Sequence, residues 1–127
     1  MSNFYTDVKD FHIAFGQRVG EKPELPDSKE RTLRMKLLAE EMYEDTAAEN
    51  DNDIVEIADA LADIIYIACG TAVAYGIPLD DVFEEVHASN MAKLVDGKPI
   101  YREDGKVLKP EGWKPPDIES VLKRSHG

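Results

Sequence analysis

The chain has few cysteines and few positive charges, and it lacks the short signatures of several common enzyme classes. Cys69 is the only cysteine in 127 residues, so no disulfide can form within the chain. Its place in the apolar stretch IIYIACGTAVAYG predicts a small buried hydrophobe rather than a reactive thiol. Basic residues number 15 against 26 acidic ones, a formal net charge of −11. That balance argues against a nucleic-acid backbone or an anionic membrane as partner. No P-loop, G-x-S-x-G or G-x-G-x-x-G is present, and His12, His87 and His126 have no paired Cys or His at zinc-binding spacing. No uninterrupted apolar run approaches the ~18 residues of a membrane span, and the N-terminus has neither the basic nor the apolar region of a signal peptide. The expectation is a soluble, cytoplasmic protein.

What is present is helical periodicity. Phe4, Val8, Phe11 and Phe15 recur every three or four residues, which predicts an amphipathic helix over about 3–17. The segment GEKPELPDS breaks it, and Asp27 or Ser28 can cap a second helix that supplies Leu33, Leu37, Leu38 and Met42 to a core. The polar run Glu49-Asn50-Asp51-Asn52-Asp53 reads as a turn between antiparallel helices. A third helix should run from Ile54 to Tyr75 and stop at Gly76. Its second half is too densely apolar for a one-sided helix, so it belongs at a bundle centre or in a subunit interface. A fourth helix is predicted over about 79–92, with Val82, Phe83 and Val86 on its inner side. A short hairpin follows around Asp104-Gly105, then an irregular proline-rich stretch, and a short last helix over 118–124 capped by Asp117. The fold class is therefore all-α: a four-helix bundle with a short C-terminal hairpin, an extended tail and a final short helix. One domain is expected, with a helical core over about 3–92 and a tail over about 93–127.

Acidic residues are concentrated at 40–63, and Lys93, Lys98, Arg102, Lys106, Lys109 and Lys114 follow. On an ideal helix Glu41 and Glu44 lie ~60° apart and Glu40 within ~40° of Glu44, so the three share a face. Asp59 and Asp63 are one turn apart on the next helix, with Glu56 near the same stripe. Converging carboxylates repel and lose hydration unless protons or cations neutralise them. Mg²⁺ or Mn²⁺ is the simplest compensation, because hard cations prefer oxygen ligands. The plain alternative is a set of solvated helix faces in an acid-rich protein.

The pair LLAEEMYE and ADALADIIY resembles the MazG-like, all-alpha nucleoside triphosphate pyrophosphohydrolases, whose motif is E-E-x-x-E on one helix and E-x-x-D on the next. The segments FHIAFGQRV, LRMKLLAEE, YGIPLDDVFEEVHASNMAK and DGKVLKPEGWKPPDI extend the likeness over nearly the whole chain, toward a bacterial and phage branch that includes a MazG-like dUTPase. The resemblance implies the all-alpha pyrophosphohydrolase bundle and hydrolysis of a (deoxy)nucleoside triphosphate, dUTP or another such as dGTP. Monophosphate and pyrophosphate would form by attack of metal-activated water at the α-phosphate. It implies two or more Mg²⁺ or Mn²⁺ ions held by Glu41, Glu44 and Asp63, with Glu40 activating the water. Ala60 stands where the family's second-motif glutamate is expected, so Asp59 is taken as its substitute and Glu56 as the reserve. Asn90 and Lys93 match the family's N-x-x-K segment as sugar or phosphate contacts. Lys109 and Trp113, with Lys106, are looser candidates for a flap, and His12, Phe15 and Gln17 for the base pocket. A homodimer or homotetramer is implied. Two other readings remain beside this one: a phosphoribosyl-ATP pyrophosphohydrolase, and a non-catalytic helical interaction module.

Overall fold

The computed structural model describes residues 3–124, so His126 lies outside the described residues. Five helices follow one another: α1 (Phe4–Ala14), α2 (Ser28–Asn50), α3 (Ile54–Tyr75), α4 (Leu79–Met91) and α5 (Ile118–Arg124). Among the described residues there is no strand, only two isolated antiparallel bridges, and the all-α class stands. The chain divides into two compact units, one through Leu79 and one from Asp80.

In the N-terminal unit both α1 and α2 pack on α3. Asn3 caps α1 by accepting from Thr6 N at 3.0 Å, and the helix buries Val8 and His12, one turn apart. It ends three residues before the expected limit, because the chain turns through Gly16 in the left-handed region (φ 68°). Asp27 caps α2, accepting from Glu30 N at 2.9 Å. Helix α2 is mostly polar and buries only Arg34 and Ala48, so it depends on its packing against α3 more than on a core stripe.

The α2–α3 turn is three residues long. Asn52 takes φ 54°, which asparagine tolerates, and the Asp53 carboxylate caps α3 by accepting from Val55 N (3.1 Å) and Glu56 N (3.2 Å). Helix α3 has the predicted bounds and buries Cys69, Gly70, Ala72, Val73 and Ala74 in its second half. Val8, Cys69 and Val73 form the core, with Tyr5, Val19 and Leu79 packed against it. By length and composition α3 is apolar enough to cross a membrane. Counting uninterrupted apolar runs missed this, because Asp59 and Asp63 punctuate it. It packs against both α1 and α2.

The loop before α2 is strapped to the end of α3: Gly20 N donates to Val73 O (2.8 Å), Glu24 N to Tyr75 O (3.0 Å) and Arg18 Nε to Ala74 O (2.9 Å). Two glycines permit the approach. Gly76 ends α3 in the left-handed region (φ 70°), where a Cβ would collide with the Lys22 backbone. A Cβ on Gly20 would lie 2.5 Å from Gly76 N.

In the C-terminal unit α4 continues into a short excursion. Arg102 N donates to Lys106 O (2.8 Å), closing a turn through Asp104 and Gly105 as the sequence predicts. The Arg102 guanidinium beside Asp104 holds that carboxyl below its ordinary range. The irregular tail is fastened to α4 by Trp113, whose Nε1 donates to Ser89 O (2.7 Å), and by Ser89 Oγ, which donates to Lys114 O (3.2 Å). Asp117 caps α5 through Ser120 N and Oγ, and these two hydrogen bonds keep its carboxyl below the ordinary range.

The two left-handed glycines make a stability test. Gly16→Ala, with open space around its Cβ, should cost about 1 kcal/mol of backbone strain. Gly76→Ala adds the collision with Lys22 and should cost about 3 kcal/mol. The check is the shift in urea midpoint; equal shifts would remove the Lys22 contact from the account.

Candidate active site

Across an antiparallel pair joined by so short a turn, residues whose numbers sum to roughly 104 stand level with one another. Glu41 is thereby brought opposite Asp63. The electrostatics of Glu41 agree with this placement. Its carboxyl is pushed above the ordinary 4.5, first by burial, then by repulsion from Glu44 and Asp63, by a hydrogen bond to Glu44, and by repulsion from Asp59. Four of the predicted residues, Glu41, Glu44, Asp59 and Asp63, therefore share one electrostatic neighbourhood. Glu41 Oε2 is buried without a hydrogen-bond partner, and so is Asp45 Oδ1, one turn further along α2. Buried carboxylate oxygens are ordinarily paired.

Beside this cluster is a cavity of about 240 Å³ lined by Glu44, Ala47, Ala48, Asp51, Glu56, Asp59 and Ala60. Ala48 and Ala60 are both buried, so small side chains occupy the helix interface where a larger one would fill the cavity. Glu56 and Asp59, three residues apart, both face that space. An E-x-x-D pair is thus present at Glu56–Asp59, one turn nearer the turn than the pair whose first position falls on Ala60. Glu40 is exposed and is not among the charges acting on Glu41. Sequence reasoning missed Asp45: it follows the E-E-x-x-E motif directly, and its spacing of four from Glu41 was the available signal.

The donor set suits a hard divalent cation in its chemistry: carboxylates only, with two buried oxygens lacking partners. No group of three or more His, Cys, Asp or Glu side chains among the described residues is gathered closely enough to enclose an ion. Mutual repulsion of unneutralised carboxylates favours such spreading. The residues fit the group in kind, with the ligating atoms standing apart.

The other predicted residues divide between the units. In the N-terminal unit His12 is buried, its Nδ1 lying 2.8 Å from Arg18 O, and with Gln17 it lines a second cavity of about 390 Å³. Phe15 is exposed and stacks on Phe11 at 4.2 Å between ring centroids, outside that lining. In the C-terminal unit Asn90, Lys93, Lys109 and Trp113 are brought together. Lys93 Nζ donates to Asn90 Oδ1 (2.9 Å), and the Lys93 and Lys109 ammonium groups lie 5.2 and 5.1 Å from the Trp113 ring centroid. Lys106 is instead part of the Asp104 turn, its backbone N donating to Asp104 Oδ1 (3.1 Å). A cavity of about 440 Å³ in that unit is bordered by none of these residues; Asp81, Glu84, Glu85, Ala88, Val121 and Arg124 line it.

Comparison with known proteins bears on the same segment. The family described as Phosphoribosyl-ATP pyrophosphohydrolase (PRA-PH) matches residues 8–90, a span that contains every carboxylate of the cluster. An uncharacterized protein of Acanthamoeba polyphaga mimivirus, L479, is 35% identical over 80 residues, 60% of this chain. The chain spans about a third (32%) of the length of that relative.

The raised Glu41 pKa has a definite sign. Below 4.5 the group is protonated in both folded and unfolded states and has no effect on folding. As pH rises through the raised folded-state value, the unfolded chain ionises more readily and Glu41 increasingly opposes folding. Metal-free Glu41→Gln is therefore expected to melt above the unsubstituted protein at neutral pH, with the gap closing below pH 4.5. Added Mn²⁺ should reverse the order by raising the melting temperature of the unsubstituted protein alone. Thermal melts across pH, with and without Mn²⁺, check both signs.

Proposed function

Because the chain belongs to the phosphoribosyl-ATP pyrophosphohydrolase family, within the MazG-like all-alpha pyrophosphohydrolases, we propose that it hydrolyses a (deoxy)nucleoside triphosphate to the monophosphate and pyrophosphate, using Mg²⁺ or Mn²⁺. The observation that carries this reading is the buried, unpartnered Oε2 of Glu41 amid the charges of Glu44, Asp59 and Asp63. A surface of solvated acids would leave each oxygen in water. A carboxylate oxygen withdrawn from solvent among like charges is most simply neutralised by a cation.

Glu41, Glu44, Asp59 and Asp63 would hold two or more divalent ions, with Glu56 in reserve and Asp45 available from α2. When bound, the ions supply charge neutralisation for the leaving pyrophosphate and a lowered pKa for the attacking water. Glu40, exposed beside the cluster, would take the proton as that water forms its bond to the α-phosphorus and the bond to the bridging oxygen breaks. Lys93, Lys109 and Asn90, gathered around Trp113, have the chemistry to contact phosphate or sugar oxygens. His12 and Gln17, on the wall of a cavity flanked by Phe11 and Tyr66, would border the base.

Large apolar side chains stay exposed on α2 (Leu33, Met35, Met42, Tyr43) and α3 (Leu61, Ile65, Tyr66), which favours a homodimer or homotetramer. The description of the matched family favours phosphoribosyl-ATP as a second candidate substrate.

A panel of canonical and deoxynucleoside triphosphates plus phosphoribosyl-ATP, assayed for pyrophosphate with Mn²⁺ present, tests the reading. At least one substrate should turn over, and Asp63→Asn should reduce its kcat/KM by at least about 100-fold. Mn²⁺ titration by calorimetry should show binding that the same substitution weakens. No pyrophosphate from any substrate would overturn the assignment, and no specific Mn²⁺ binding would leave a non-catalytic helical module.

A further inference from the structure

The buried polar or charged residues described in the chain are His12 and Arg34, at 2% and 5% exposure. They are neighbours: a Cβ placed on Gly70 would lie 2.7 Å from an Arg34 Nη1 and 3.1 Å from His12 Nε2. Glycine at 70 therefore keeps open the space in which the guanidinium sits. His12 is anchored through Nδ1 at Arg18 O, but Arg34 is poorly satisfied for a buried cation. Its Nε is ion-paired with the Glu30 carboxylate at 3.6 Å but makes no hydrogen bond, and Nη2 reaches Gln17 Oε1 only at 3.4 Å. A guanidinium carries five donors and no acceptor, and burying it so loosely bonded costs stability. Such a group is matched by a ligand that brings acceptors.

The place for the ligand is the 390 Å³ cavity that Arg34, Glu30, Gln17 and Gly70 line together with Phe11 and Tyr66. The two aromatic rings meet edge to face at 5.6 Å and give an apolar wall suited to a flat heterocycle. Arg34 lies seven residues before Glu41 on α2, and Gly70 seven after Asp63 on α3. The cavity is therefore about 10 Å along the helix axes from the carboxylates. That is a separation a nucleotide bridges, with its base at one end and its phosphates at the other.

We propose that Arg34, seated by Gly70 and oriented by Glu30, is the specificity-determining residue of this cavity, and that it selects bases presenting a carbonyl acceptor over bases presenting an exocyclic amino group. Uracil and guanine offer an oxo group where cytosine and adenine offer NH₂. Facing a donor-only guanidinium, an amino group leaves donors unpaired on both sides, and sites that read a substrate through hydrogen bonds reject such mismatches strongly. This assignment rests on the pyrophosphohydrolase reading and adds the class of base to it.

The test compares kcat/KM for dUTP against dCTP and for dGTP against dATP, alongside equilibrium binding of dUMP and dCMP without metal. The unsubstituted protein should prefer the oxo base of each pair by at least about 10-fold. Arg34→Met should bring both ratios to near unity, and Arg34→Lys should preserve part of the preference. Gly70→Ala should push the guanidinium out of its seat and lower the ratios, with the Mn²⁺ affinity of the carboxylates unchanged. If Arg34→Met does not fold, as judged by circular dichroism, Arg34→Lys and Gly70→Ala carry the comparison. A preference for amino bases, or ratios untouched by all folded variants, overturns the proposal while leaving the pyrophosphohydrolase reading intact. Oxo-selective, Arg34-dependent monophosphate binding without hydrolysis of any triphosphate would sustain this proposal and overturn that reading instead.

Discussion

The three-residue turn from Asp51 to Asp53 fixes the register between α2 and α3, and both candidate binding features depend on that register. Asn52 reverses the chain at positive φ, Asp53 satisfies the first free amides of α3, and the two long helices run back along one another. Moving outward from the turn, the structure meets first the cavity between Ala48 and Ala60, then Glu41 near Asp63, then Arg34 against Gly70. A shift of one residue in either helix would rotate these groups by about 100° and disperse them together.

Within this frame the site residues are unfavourable for folding by themselves. Repulsion raises the Glu41 pKa, two carboxylate oxygens are buried without partners, and Arg34 is buried with incomplete hydrogen bonding. The core that offsets these costs is small, built on Val8, Cys69 and Val73, and the loop straps at Gly20 and Gly76 reinforce it from the end of α3 remote from the turn. Stability is concentrated where the helices carry apolar and small residues. Local frustration is concentrated where they carry acids.

Much of this was legible in the sequence. The bounds of α3, the cap at Asp27, the stop at Gly76, the turn at Asp104-Gly105 and the short helix after Asp117 follow from local chemistry of a few neighbouring residues. The shared face of Glu41 and Glu44 follows from helix geometry alone. Contacts between helices were less accessible. Nothing in the local pattern around Arg34 distinguishes it from an exposed helix arginine; its burial comes from Gly70, 36 positions away, and from His12 on a third helix. Asp45 was overlooked, and Glu56 and Asp59 were read as separate candidates rather than as one pair, for a related reason. Their part depends on which carboxylates meet across the α2–α3 interface, and a motif read along one strand of sequence does not report that.

The hairpin geometry also bears on how the chain folds. Facing residues near the turn are separated by only a few positions, whereas Glu41 and Asp63 are 22 apart and Arg34 and Gly70 are 36 apart in the sequence. The entropy lost on closing a loop grows slowly with that separation, so bringing Glu41 to Asp63 costs the chain less than bringing Arg34 to Gly70. The same turn that sets the register thereby makes the arginine cavity the more demanding of the two features to close.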